Sequence, residues 1–221
     1  PKVEAEGCVP SVAVIDQDAV TAILENGRGR AQFCDMAVLD FASFTSPGGG
    51  YIRGSVAQEE SLCMESYLYN VLKRKEDWYV ENRRRNINCN LYKNRALVVP
   101  AVRFGRDRVH AYADVLVVAA PNARRAREEY NVDKEALGRA MRERIRFALS
   151  LADYQRTFFS CRKYAVLMLP EHYAERICAL YIGNRPDYCI NRVAVIIVVE
   201  QLCHSLGIGL ALKAVSLRYE K

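Results

Sequence analysis

Three consecutive glycines and two adjacent carboxylates stand close together in the first third of the chain. Pro47-Gly48-Gly49-Gly50 is followed, after seven residues, by Gln58-Glu59-Glu60. Glycines lack a Cβ, so their backbone N–H groups can converge on an anion or a sugar. A helix starting close by adds partial positive charge. The segment could therefore cradle a phosphorylated sugar beside two acids. It also has a bland reading, since glycines make tight turns and acids favour the first turn of a helix. As a free-standing pattern it leaves both readings open.

The elements that would position these residues can be read on either side. Met36 to Phe41 is an apolar run that predicts a buried strand leading into the glycines, and Ser61 to Lys73 has helical spacing at Leu62, Tyr69 and Leu72. Upstream, Ser11 to Ile15 reads as a strand, and Asp18 caps a helix running to Glu25, ended by Asn26-Gly27. Ala96–Val99 and Val115–Ala119 read as strands. Glu135 to Ala152 is an amphipathic helix with apolar residues at 137, 141, 145, 148, 149 and 152. Further apolar runs follow at Ala165–Leu169, Ile177–Ile182, Val193–Leu202 and Leu212–Leu217, with Val193–Val199 open between strand and helix. Short apolar runs interleaved with helices predict an α/β sandwich around a largely buried sheet. Arg103–Arg108 and Ala123–Asp133 read as polar connectors. With no repeat, linker or low-complexity tract, residues 1–221 read as one domain.

Composition removes several classes. The chain has 221 residues, is 51% hydrophobic and 26% charged, and lies clear of disordered sequences. Its longest apolar run, Val193 to Val199, is too short for a membrane span, and Pro1 to Glu6 has no feature of a signal peptide. No membrane partner is expected. The eight cysteines form no C-x-x-C pair, and there are only three histidines, so no metal is expected. The cysteines read as reduced core residues of a cytoplasmic or nuclear protein, not a secreted one. The net charge of +6 gathers at Arg83-Arg84-Arg85, at Arg124, Arg125 and Arg127, and at Arg139, Arg142, Arg144 and Arg146. These clusters suit a polyanion or, equally, solvated helix faces. Nucleic acid is disfavoured, because Trp78 and Tyr79 are the only aromatics that could form a stacking platform beside such a cluster.

The glycine and carboxylate segment, in its flanks, resembles the bacterial-type poly(ADP-ribose) glycohydrolase family, a branch of the macrodomain fold. That family is marked by Gly-Gly-Gly, a spacer of six to eight residues, and Gln-Glu-Glu. Ala37-Val38-Leu39 and Phe41-Ala42-Ser43 agree before the glycines, and Ser66-Tyr67-Leu68-Tyr69 after the acids. Pro100-Ala101-Val102 with Phe104, Arg106-Asp107, and Val118-Ala119-Ala120-Pro121-Asn122 are also similar to the family pattern. The resemblance implies a three-layer sandwich with a mixed central sheet flanked by helices on both faces. It implies a hydrolase of ribose–ribose bonds that acts as a monomer on poly(ADP-ribose) or ADP-ribosylated protein, with ADP-ribose as product and no cofactor. Glu60 would be the catalytic acid and then the base that activates water. Glu59 would face the other way and hold ribose hydroxyls, and the adjacency of two carboxylates would help keep one proton available. Gly48, Gly49 and Gly50 would admit the distal ribose and diphosphate, and Gln58 would fix the loop. Asp16 or Asp18 would accept from an adenine amino group, unless Asp18 is a helix cap.

Three positions depart from the pattern. Asp40 stands where the family carries Asn, so a group that both donates and accepts is replaced by an acceptor facing a ribose hydroxyl. Ser46 stands where Asn precedes Pro-Gly-Gly-Gly. The second phosphate loop, expected after a late strand and rich in glycine, has only Gly183, with Arg185 and Tyr188 as candidate diphosphate and ribose contacts. The divergent loop keeps an alternative in play, an ADP-ribose-binding module with little or no turnover.

Overall fold

A computed structural model describes residues 12–15, 17–85, 87–158, 164–168 and 194–198. Six strands form one sheet. They are β1 (Val12–Ile15), β2 (Met36–Asp40), β3 (Ala96–Arg106), β4 (Val109–Val118), β5 (Tyr164–Met168) and β6 (Ala194–Val198), in the order β1-β6-β5-β2-β4-β3. All neighbours run parallel except β3, which pairs antiparallel with β4 at the edge. Within the ambiguous run at Val193–Val199, Ala194–Val198 is therefore a strand, and it joins β1 to β5.

Alternation along β2 divides the core. Met36 and Val38 pack on one face with Val20 and Ile23 of α1 (Ala19–Asn26), Leu62 and Cys63 of α2 (Gln58–Met64), Leu68 and Leu72 of α3 (Leu68–Lys73) and Tyr79 of α4 (Glu76–Arg85). Ala37 and Leu39 turn to the other face, where they meet Leu116, Val118 and the residues Ile145 and Ala148. Those last two belong to the long helix α6 (Lys134–Phe158), which follows the short surface helix α5 (Ala123–Tyr130). The result is the expected three-layer sandwich, with a mixed sheet between helices.

Three local expectations give way. Ser61–Lys73 is two helices, because Glu65 O accepts from Gly105 N–H of β3 at 3.0 Å and Ser66 bridges to Phe104. Ser66 Oγ also bonds Leu62 O and accepts from Leu68 N, so its hydroxyl ends α2 and starts α3. Arg103–Arg108 is not a connector but the tip of the β3–β4 hairpin. Val102 and Phe104 are buried there while Arg103 and Gly105 face out, and the register shift at Pro100-Ala101 hides this alternation from a simple reading. Ala123–Asp133 contains α5. The runs Ile177–Ile182 and Leu212–Leu217 lie outside the described residues.

Candidate active site

β2 lies inside the sheet between β4 and β5, and its carboxyl end delivers the chain to the glycine turn. Ligands of open α/β sheets bind at such strand ends. Gln58, the first residue of α2, clasps that end. Its Nε2 donates to Leu39 O at 2.6 Å and its Oε1 accepts from Phe41 N–H at 2.8 Å, one bond on each side of Asp40. Gln58 thus replaces a missing strand partner and sets the start of α2 over the end of β2.

The glycine turn is built to receive the two acids. Gly48 and Gly49 have φ of 64° and 57°, in the left-handed region. A Cβ on Gly49 would lie 2.6 Å from Glu60 Oε1 and 2.7 Å from Glu59 Oε2, so both carboxyl groups lean over this residue. Gly50 N–H donates to Glu60 Oε1 at 2.7 Å, and Ser43 N–H donates to Glu59 Oε2 at 2.7 Å. Gly48 N–H is also directed at Glu59, and Gly49 N–H bonds Ser46 O. The glycine donors expected to converge on a ligand anion are therefore spent within the protein, two of them on its own carboxylates. Glu59 does not turn away from Glu60; both share the space above Gly49.

Asp40 is the third carboxyl group here. It is 0% exposed, and neither oxygen has a hydrogen-bond partner. Burial and the nearby Glu60 charge push its pKa up to about 8. Burial, then the Asp40 charge, push Glu59 up to about 9 despite the Ser43 N–H, and Glu59 Oε1 is likewise sealed without a partner. No oxygen of Glu60 is left sealed in this way. Asp40 therefore cannot touch a sugar directly, as its expected substrate-binding role required; it sits beneath the site.

Residues that the sequence did not assign to the site hold the loop from behind. Asn82 of α4 is fully buried and donates to Phe44 O at 2.9 Å, while Arg95 Nη1 donates to Asn82 Oδ1 at 2.7 Å. Arg83 Nη1 bonds Thr45 O at 2.6 Å. Phe44 itself is stacked on Tyr92, with centroids 4.5 Å apart. Tyr69 lies against Gly48 and packs on Tyr51 at 4.9 Å. Only the polar residue type of Asn82, three positions from buried Tyr79 on a helix, could have signalled such a role.

Residues 2–107 match the microbial-type PARG catalytic domain, PARG being poly(ADP-ribose) glycohydrolase. The matched stretch, which carries the glycine turn and both acids, is similar to that family. The fold is similar to that of poly(ADP-ribose) glycohydrolase from Thermomonospora curvata, at 26% identity with a TM-score of 0.71, over 89% of this chain and 73% of that one. The same enzyme bound to the inhibitor ADP-HPD matches with a TM-score of 0.69 over 86% and 73% of the two chains. The Deinococcus radiodurans enzyme in complex with ADP-ribose has the same fold at 22% identity, with a TM-score of 0.69 over 89% and 79%. No curated protein matches.

Among family-pattern residues outside the turn, Asp18 is the cap of α1. Its Oδ1 accepts from Val20 and Thr21 N–H, both at 3.0 Å, and it pairs with Arg106 at 3.0 Å, so its acceptors are already engaged. Asp16, Gly183, Arg185 and Tyr188 lie outside the described residues. Several of the described arginines are committed. Arg124, Arg125 and Arg139 pair with Glu128, Glu129 and Glu135 along their own helices, and Arg83 with Glu76. Arg144 is 2% exposed and donates to Leu91 O, Tyr92 O, Ala119 O and Asn94 Oδ1. The aromatic platform also dissolves, since Tyr79 is fully buried and Trp78 packs against the core under Arg95. Among the described residues no His/Cys/Asp/Glu group could hold a metal, and no helix is long and apolar enough to cross a membrane.

Proposed function

We propose that the chain is a poly(ADP-ribose) glycohydrolase that cleaves ribose–ribose O-glycosidic bonds and releases ADP-ribose. The observation that carries this reading is the placement of Glu60. Its Oε1 is fixed by Gly50 N–H at the carboxyl end of β2, and neither of its oxygens is buried without a partner. A fixed carboxyl group at a strand end can protonate the leaving ribose oxygen as positive charge develops on the sugar. As a carboxylate it then takes a proton from the attacking water. Glu59, whose pKa is raised, stays protonated at neutral pH and does not add a second negative charge beside a diphosphate.

The solved relatives hold ADP-HPD and ADP-ribose, which supports an ADP-ribose unit as the ligand. Action as a monomer on poly(ADP-ribose) or ADP-ribosylated protein is part of this reading. A cytoplasmic or nuclear setting, in which the cysteines stay reduced, is part of the same reading.

Incubation with poly(ADP-ribose), with free ADP-ribose followed by chromatography, tests the assignment. The wild type is expected to release ADP-ribose and Glu60→Gln to be about 1000-fold slower, since an amide cannot transfer the proton. Full turnover by Glu60→Gln would remove Glu60 from the mechanism. Wild type that binds ADP-ribose in calorimetry but releases none would mark a binding module instead.

A further inference from the structure

We propose that Asp40 is a positioning residue that works as a neutral carboxylic acid, sharing its proton with the Glu59–Glu60 pair. The inference rests on the glycohydrolase reading, and begins from where Asp40 lies. Alternation along β2 places residue 40 on the same face as Met36 and Val38, the face covered by α2 and α4. The ionisable groups facing it from those helices are Glu59, Glu60 and Cys63 on α2 and Tyr79 on α4. None of them is a cation.

The amide and backbone donors around Asp40 are used elsewhere, and the buried Tyr79 hydroxyl bonds neither of its oxygens. Both Gln58 bonds go to the backbone of Leu39 and Phe41, Ser43 N–H goes to Glu59, Gly50 N–H to Glu60, and Asn82 Nδ2 to Phe44 O. Both Asp40 oxygens are left sealed without a partner. A carboxylate in that position would be a buried, unpaired charge, which proteins avoid by neutralising the group. Once neutral, Asp40 has an O–H that must find an acceptor. The carboxyl pair, whose charges bear on Asp40, is the chemistry able to accept it, and Glu59 Oε1 is equally sealed without a partner. Protonated Asp40 then supplies the donor that an amide would supply at this position, and adds no negative charge under a diphosphate.

Stability and turnover test separate parts of this assignment. The folded protein keeps a proton on Asp40 that the unfolded chain releases above its ordinary pKa of 3.8. The wild type therefore loses stability relative to Asp40→Asn as pH rises from about 4 to about 8, by up to about tenfold per pH unit in the unfolding constant, and the difference is then flat. Urea unfolding of both proteins across this range reads it without any substrate. Parallel profiles would mean that no proton is held there, and would overturn the proposal. In turnover, wild-type kcat/KM is expected to fall above about pH 8, and Asp40→Asn to move that fall up by about one pH unit. Asp40→Leu, neutral but without a donor, is expected to be stable and to lose tenfold or more at every pH. Full activity in Asp40→Leu would overturn the positioning role. Diverging stability profiles with no ADP-ribose release by wild type would instead sink the glycohydrolase reading and the positioning role with it, while the neutral acid would stand.

Discussion

Gly50 holds the carboxyl group of Glu60 through its backbone, with Oε1 2.7 Å from the Gly50 nitrogen. The bond spans ten residues of sequence and closes the intervening loop, so the glycine turn and the first turn of α2 form one unit. The glycine preceding it in the turn, Gly49, leaves the space that both Glu59 and Glu60 occupy. The three glycines serve the acids first, and any ligand meets the arrangement that results.

Gly49→Ala is expected to abolish this unit. A Cβ at 2.6 Å from Glu60 Oε1 and 2.7 Å from Glu59 Oε2, on a residue with φ of 57°, must displace both carboxyl groups. Turnover should fall by about 100-fold or more, because small displacements of catalytic groups carry such losses. Thermal unfolding should show a cost of about 1–3 kcal/mol. Kinetics and a melting curve on the same preparation check both.

Gln58→Ala should destabilise more than an ordinary helix-start substitution. It strips partners from Leu39 O and Phe41 N–H at the end of a buried strand. The expected cost is about 2 kcal/mol in urea denaturation. Gln58→Glu should not rescue it, since a carboxylate cannot donate to Leu39 O.

Arg144→Met tests whether a member of an arginine cluster is structural. Its guanidinium bonds three backbone carbonyls and Asn94, and burial draws its pKa down to about 10. Removing it leaves those carbonyls unpaired, with an expected loss of about 3 kcal/mol. Arg142→Met, exposed on the same helix, should change stability by less than about 0.5 kcal/mol. Equal effects would contradict the assignment.

Acid should weaken the contact between α1, the end of α2 and the hairpin. Burial alone would raise the Asp18 pKa, but bonds from Arg106 and Thr21 outweigh it and hold the carboxyl group at about 2. Its contribution is complete above the ordinary value of 3.8 and is lost as pH falls through about 2. Arg106 also bonds Glu65 at 2.6 Å, joining all three elements. Melting temperatures at pH 7, 4 and 2 should show a drop over the last interval that is smaller in Asp18→Asn.

Much of the architecture was legible in order along the chain. The run at Met36 is continuous because a parallel strand covered on both faces buries every side chain, and such a run survives without knowledge of its partners. The split between α2 and α3 was not legible, since it depends on Glu65 O meeting Gly105 of a distant hairpin. The Arg103–Arg108 segment misled for a related reason, as edge strands carry exposed charge on one face.

The carboxyl cluster divides along the same line. The sequence by itself determined which groups exist, because Gly48 to Gly50 and Gln58 to Glu60 are local patterns with residue types that few other roles require. It also marked Asp40 as the unusual acid. Only the tertiary structure decided how the groups are spent: that glycine N–H groups bind the protein's own carboxyls, that Asp40 is sealed beneath them, and that Arg144 is buried rather than displayed. Hydrogen-bond partners and burial belong to pairs of residues distant in sequence, so they come into being only when the sheet and its two helical layers close.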